Sequence, residues 1–301
     1  MPTFNRAHIL GRSINSVINQ TYHDWELLLV DDASSDNTSE IILSYNDNRI
    51  KYYTHSRNMG GNAARNTGLR HARGNYIAFL DSDDEWMPTK LERQLAIIDD
   101  RESEAGVIYT GFSYINGNNQ VIKKFVPKVN GNIRPDIFHK NYIGTLSTLL
   151  ALKECFRECG GFDETLPSCQ DWDLYIRISE KYKFVGIKES MVLFHVDGVR
   201  ISTNALKRAL GHQIFLLKHF KEISSRKRYL SYHYYVIGVD LLYSNRFRVA
   251  QYFLRQAVKK CPWTIPYYVH YIFSEIKPLF SFYNWLNQKI KRIIYNKKTI
   301  K

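Results

Sequence analysis

Two short acidic runs, Asp31-Asp32 and Asp81-Ser82-Asp83-Asp84, have the residue types and spacing to do chemistry. Adjacent carboxylates repel and are costly to cluster without a cation. Their hard oxygens suit Mg²⁺ or Mn²⁺. An ion held there can bridge to a diphosphate and neutralise charge developing on it. The plainer reading of such acids is that they cap the helices that follow. A third acidic motif, Gln170-Asp171-Trp172-Asp173, opens a helical pattern, where Asp171 is again a natural cap. His195 ends an apolar stretch, where an imidazole either ligates a metal, donates to phosphate, or simply packs.

The elements around these residues alternate. Ile9, Leu10, Ser13, Ile14, Val17 and Ile18 recur at helical spacing, and 25–30 is a short apolar run that stops at Asp31-Asp32, as a buried parallel strand does. Helices are expected over 38–45, 62–71 and 89–99, and strands over 50–54, 76–80 and 107–109. That is βαβα order, hence a layered α/β sheet, and such sheets bind ligands beyond the carboxyl ends of their strands, where both acidic runs fall. Next comes a hairpin, 112–115 and 121–126, turning at Asn116-Gly117-Asn118-Asn119. A strand over 146–152, helices over 153–159 and 171–181, and strands over 184–187 and 192–196 complete this part. After residue 201 only helical patterns remain.

Five segments taken in order carry a resemblance. They are Pro2-Thr3-Phe4-Asn5-Arg6, Ser16-Val17-Ile18-Asn19-Gln20-Thr21-Tyr22, 30–38 around Asp31-Asp32, 58–68 around Gly60-Gly61 and Arg65, and Phe79-Leu80-Asp81-Ser82-Asp83-Asp84. Together they resemble the family 2 glycosyltransferases, which are inverting enzymes of the GT-A fold common in bacterial and archaeal polysaccharide and cell-envelope synthesis. The resemblance implies that Thr3, Asp31, Asp32, Arg65, Asp81 and Ser82 line the donor nucleotide, Asp32 through the base and Asp81 toward the ribose. It makes Asp83 the direct metal ligand, with Asp81 and His195 as further candidates and Asp84 in support. Arg200 is a further phosphate candidate. The implied ligands are Mn²⁺ or Mg²⁺ and a nucleotide-diphosphate-sugar, by default a UDP-sugar.

Gly160-Gly161-Phe162-Asp163-Glu164 and the Gln170–Asp173 motif resemble the family's acceptor side, with Gln170 where the family usually has Glu. An attacking hydroxyl must lose its proton as the new bond forms. A carboxylate across the sugar from the leaving diphosphate can take it in one displacement, by analogy with inverting glycosidases. The resemblance gives that role to Asp171, with Asp173 as the alternative and Gly160, Gly161, Trp172 and Asp173 on the acceptor side. Trp172 either stacks on a sugar or belongs to the core. Competing readings are a related nucleotidyltransferase, for which a Gly-rich basic N-terminal loop is lacking, and a non-catalytic nucleotide-sugar binding module, which would not need Asp83 and Asp171.

The family opens with a buried strand before the Pro-Thr loop, whereas this sequence starts at Met1-Pro2. Either the true start lies upstream, or the first strand is truncated, which is expected to open a sheet edge and expose apolar surface. Charge divides the 301 residues. From residue 201 on there are 19 Lys/Arg against three acids, a balance of +16, and the first 200 residues carry −3. We expect a glycosyltransferase domain over 1–200 and a basic, aromatic-rich helical region over 201–301. The acidic front argues against nucleic acid, and the basic tail points to an anionic membrane surface. The four cysteines fit a reducing compartment better than a disulfide scaffold. No signal peptide or spanning helix is expected, since the best candidate, 264–282, is broken by Pro266, Glu275, Lys277 and Pro278. The expected place is cytoplasmic, peripheral on the inner face of the cell membrane, with a saccharide or lipid-linked saccharide as acceptor.

Overall fold

The computed structural model describes residues 1–100, 104–134, 136–196, 204–276 and 278–285. Arg200 and the terminal basic cluster Lys289, Lys291, Arg292, Lys297, Lys298 and Lys301 lie outside them. The chain divides into two compact units, Met1–Leu166 with Gln170–Val199, and Pro167–Cys169 with Arg200–Lys301.

The first unit is an α/β sandwich. It runs β1 (Pro2–Thr3), α1 (Leu10–Ile18), β2 (Leu27–Asp31), α2 (Thr38–Leu43), β3 (Ile50–Thr54), α3 (Gly61–His71), β4 (Tyr76–Ala78), β5 (Asp84–Trp86) and α4 (Lys90–Ile98). Then follow β6 (Ala105–Ile115), β7 (Val121–Phe125), β8 (Leu149–Leu152), α5 (Lys153–Cys159), α6 (Gln170–Ile178) and β9 (Lys183–His195). Strands β1-β2-β3 form a parallel sheet, and β4-β8-β6-β9-β5 a mixed one, with β7 paired to β6. Every residue of β2 is buried, as expected of a strand covered on both faces. Leu10, Ile14 and Val17 of α1 and Leu91, Leu95 and Ile98 of α4 supply the helical side of that core.

Three differences from the sequence expectation are physical. The two closing strands are one, β9, because Lys188 and Glu189 are accommodated at a register shift where Ile187 pairs with Thr110 but Ser190 pairs with Gly111. Likewise 107–109 and the first hairpin arm are one strand, β6, bent at Gly111, where a Cβ would come 2.7 Å from the Phe125 carbonyl oxygen. Asp84–Trp86, expected only as an acidic loop, forms β5 by pairing antiparallel with β9.

Among the described residues, no strand of one sheet pairs with a strand of the other. A cavity of about 520 Å³ lies between β2 and β4, lined among others by Leu27, Leu28, Leu69, Ile77, Phe79 and Leu95. At the edge of that sheet, Pro2 and Thr3 pair with Val30 and Asp31.

The second unit is helical: α7 (Ala205–Lys218), α8 (Phe220–Ser224), α9 (Lys227–Tyr243), α10 (Phe247–Lys260) and α11 (Ile265–Glu275). Helices α9 and α10 approach closely at Gly238, where a Cβ would come 2.6 Å from Leu254 Cγ. Between α7 and α9, His212 Nε2 meets His233 Nδ1 at 2.7 Å and Arg208 pairs with Asp240 at 2.6 Å. No described helix is long and apolar enough to cross a membrane.

Candidate active site

The loops after β1 and β2 are stitched together. Asn5 N–H donates to Ser34 Oγ at 2.9 Å, Ser35 N–H donates to Asn5 Oδ1 at 2.8 Å, and Arg6 N–H donates to Thr38 Oγ1 at 3.0 Å. Asn5 and Ala33 reach positive φ, 52° and 63°, to make these turns. Asp31 and Asp32 are both buried. Asp31 accepts from the Ser34 N–H and hydroxyl and from the Tyr52 hydroxyl. Asp32 accepts from the Met59 and Gly60 N–H groups at 2.8 and 2.7 Å and lies 2.7 Å from His55 Nδ1. Asp32 thus holds the chain entering α3, the capping role that such acids also fill. Thr3 is buried, and its hydroxyl has no protein partner.

Helix α3 presents Asn62, Arg65 and Asn66 at i, i+3 and i+4, so all three project from one face. Arg65 Nη2 donates to Asp81 Oδ1 at 2.6 Å. Asn66 makes a reciprocal pair with Phe162, donating to its carbonyl at 2.9 Å and accepting its N–H at 2.8 Å. Asn62 donates to the Asp163 and Leu166 carbonyls at 3.0 and 2.9 Å. The helix therefore carries the Gly160-Gly161 loop. Gly161 must be glycine, because a Cβ there would sit 2.4 Å from Asn66 Oδ1, and Gly160 has φ +77°.

Beyond β4, Asp81 N–H donates to Ser147 Oγ at 3.1 Å, and the Ser147 hydroxyl donates to Asp84 Oδ2 at 2.7 Å. Ser82 and Asp84 are buried. The side chains of Asp81 and Asp83 are 29 % and 16 % exposed, so these two acids of the run reach solvent. Arg6 Nη2 lies 4.0 Å from Asp83, and Arg12 Nη2 donates to the Asp83 carbonyl at 3.1 Å.

On α6, Asp171 Oδ1 accepts its neighbour Trp172 N–H at 2.8 Å, and Oδ2 accepts from Asn141 Nδ2 at 3.3 Å. Burial pushes the Asp171 carboxyl up to about 6. The Trp172 N–H and the Arg65 charge oppose the rise, and the Asp81 charge adds to it. Asp171, Arg65 and Asp81 therefore lie within range of one another's charge. Tyr175, one turn on, is fully buried with no partner for its hydroxyl; burial, then Asp171, raises its pKa well above the usual phenol value.

Three of the expected site residues are engaged by protein partners. Trp172 is core: it is buried and its indole N–H donates to the Ile137 carbonyl at 2.6 Å, so it offers no face to a sugar. Asp173 is fully buried and paired with Arg177 at 2.9 Å. Arg177 in turn donates to the Cys159, Gly160 and Gly161 carbonyls, so Asp173 anchors the glycine turn and has no route to a hydroxyl. His195 Nε2 is held 2.5 Å from Glu85 Oε1, since β5–β9 pairing sets Glu85 opposite Leu193, two residues along the same face. Arg6, Glu85, Asn62, Asn66, Asn141 and Arg177 are site or support residues that the motifs did not single out.

The profile described as Glycosyl transferase family 2 matches residues 1–153. The Escherichia coli UDP-Glc:alpha-D-GlcNAc-diphosphoundecaprenol beta-1,3-glucosyltransferase WfgD is 34 % identical over 243 residues, 79 % of this chain and 92 % of that protein. In three dimensions, S. aureus TarS 1-349 in complex with UDP-GlcNAc is similar with a TM-score of 0.60 at 19 % identity, over 86 % of this chain and 71 % of that one. The mannosyltransferase PcManGT from Pyrobaculum calidifontis, solved with GDP-Man and Mn²⁺, is similar with a TM-score of 0.58 at 16 % identity, over 95 % of this chain and 81 % of that one.

Proposed function

This chain belongs to glycosyl transferase family 2, with the GT-A fold and the nucleotide-sugar chemistry of that family, and from that premise we propose an inverting transfer with Asp171 as the base. The donor is a UDP-sugar, bound where β1, β2 and β4 end. Thr3, Asp31 and Asp32 face the nucleoside, and Arg65, Asp81 and Ser82 the ribose and diphosphate. The acceptor hydroxyl approaches from the Gly160-Gly161 side. Its proton passes to the Asp171 carboxylate as its oxygen bonds the anomeric carbon and the bond to the diphosphate oxygen breaks. One displacement inverts that carbon and releases a nucleoside diphosphate.

The observation that carries this reading is the Asp171 carboxyl, with a pKa of about 6 and electrostatically tied to Arg65 and Asp81. Near neutral pH such a group is mostly ionised yet basic enough to take a proton, as a general base should be. A passive nucleotide-sugar binder has no use for it.

A divalent ion fits beside it. Asp83 and Asp81 offer hard oxygens that reach solvent. Among the described residues there is no group of three or more ligand-type side chains. An ion here would take one or two carboxylates and complete its shell with donor phosphates and water, as Mg²⁺ does and as suits Mn²⁺. When bound, it supplies positive charge to the leaving diphosphate. Asp83 is the proposed ligand. His195, occupied by Glu85, is left out.

The acceptor we propose is a saccharide carried on a lipid diphosphate at the cytoplasmic face of the membrane, by likeness to WfgD, whose name specifies a diphosphoundecaprenol-linked sugar. The test of the donor half is calorimetric titration of UDP with and without Mn²⁺. Asp83→Asn is expected to lose the Mn²⁺-dependent part of the affinity; an Asp83→Asn protein that binds as tightly as the wild type in Mn²⁺ would remove Asp83 from the site.

A further inference from the structure

Helix α11 is amphipathic in an unusual sense: both faces are apolar, and only one is covered. Tyr267, Phe273 and Ser274 point into the second unit and are buried. Ile265, Tyr268, Val269 and Ile272, at i, i+3, i+4 and i+7, fall within one stripe of the helical wheel and are all exposed, as is Ile276 just past the helix end. Trp263, just before the helix, is 94 % exposed, Ile265 75 % and Ile272 48 %. Single exposed apolar residues need no explanation, but a contiguous stripe capped by a bare indole does. The only charged residue of α11 is Glu275.

The surroundings of that stripe are basic. Lys259 and Lys260 end α10, exposed, a few residues before Trp263. Arg255, one turn before Lys259 on the same face of α10, is exposed as well. The residues from 201 on carry +16 in all.

We propose that the outer stripe of α11, with Trp263, is a docking face for an anionic phospholipid surface, in which the apolar side chains enter the headgroup region and the flanking Arg and Lys residues meet lipid phosphates. An apolar stripe alone would fit another protein equally well. The exposed Arg255, Lys259 and Lys260 at the end of α10, just before Trp263, favour a partially apolar, negatively charged partner, which a bilayer bearing anionic lipid is. An indole at the stripe's edge belongs at the headgroup level. The inference stands on the second unit alone and holds whatever sugar the first unit transfers.

The experiment is co-sedimentation of the full chain with vesicles of phosphatidylcholine alone and of phosphatidylcholine with phosphatidylglycerol. We expect binding to the anionic vesicles that weakens as salt is raised. Ile265→Glu/Ile272→Glu should cut partitioning about tenfold or more while keeping helicity by circular dichroism, since both positions face outward. Lys259→Glu/Lys260→Glu keeps the stripe intact and should weaken only the anionic-lipid binding. Equal binding of wild type to neutral and anionic vesicles, no binding at low salt, or wild-type binding by the stripe variant would each overturn the proposal. So would a wild-type dimer in sedimentation velocity that the stripe variant dissolves, because the face would then belong to a second copy.

Discussion

An aspartate whose pKa is about 6 is ionised at neutral pH yet close enough to its pKa to accept a proton, and its neighbours determine that balance. Turnover should therefore rise with pH along a limb centred near 6, because the protonated acid cannot act as a base. Arg65 holds the Asp171 pKa down. Replacing it, Arg65→Gln, removes a positive charge and should move the limb to higher pH, whatever it does to donor affinity. A kcat profile against pH reads the shift directly, and an unmoved limb would detach Arg65 from Asp171. Asp171→Asn should keep UDP binding and lower turnover by about a hundredfold or more. At this scale residue type singles out Asp81, Asp83 and Asp171 for the proposed roles, and the fold brings Asp81 and Asp171 within range of the Arg65 charge. The sequence was not legible where a role depends on a distant partner. Asn66 holds Phe162 and Asn62 holds Asp163, 96 and 101 positions away; both lie inside the 58–68 segment, but its pattern does not say what they hold. Trp172 next to Asp171 reads equally as a sugar platform or as core, and only its bond to Ile137 decides.

Among the elements, α3 does two jobs. One end receives the Asp32 cap, and its Asn62–Arg65–Asn66 face holds both the Asp81 carboxylate and the loop with Gly160 and Gly161. The glycine at 161 lets that loop lie against the helix. Gly161→Ala would place a Cβ 2.4 Å from Asn66 Oδ1 and force the loop off α3. Overpacking of this kind costs about 1–3 kcal/mol, so a lower melting temperature is expected. A raised acceptor KM is expected too, with a smaller change in UDP affinity, since of the proposed nucleotide residues only Arg65 shares this face of α3. Unchanged acceptor KM would separate this loop from the acceptor. Periodicity made most helices legible, α1 and α4 above all, because their buried faces repeat at i, i+4 and i+7. Strands were harder. Lys188-Glu189 interrupts the apolar run of β9 although the strand continues past a register shift, and Asp84-Glu85-Trp86 has too little apolar content to announce β5 without its partner. Pairing between distant segments determines both.

Over the whole molecule, two units of opposite character share one chain: the first 200 residues balance at −3 and the remainder at +16. That step in charge was legible by counting alone. What counting could not give is how the basic part builds its interior, which includes a pair of histidines. His212 and His233 are buried and meet at 2.7 Å, with Phe215 and His219 packed against them. Burial, then His233, pushes the His212 pKa well below 6.5. The unfolded chain therefore binds a proton at His212 that the folded unit refuses, and stability must rise with pH through that range. It is fully present above about 6.5 and is lost as pH falls toward the folded value, at up to about 1.4 kcal/mol per pH unit for one proton. Charging any histidine here also adds to a unit already strongly positive, so mutual repulsion works in the same direction. Hydrogen exchange of α7 and α9 at pH 7.5 and 5.5, corrected for intrinsic rates, reads this locally. Faster opening of both helices at the lower pH is expected, and His212→Leu should flatten the dependence even if it lowers stability overall. Identical protection at the two pH values would mean that the pair is not held neutral in the folded unit.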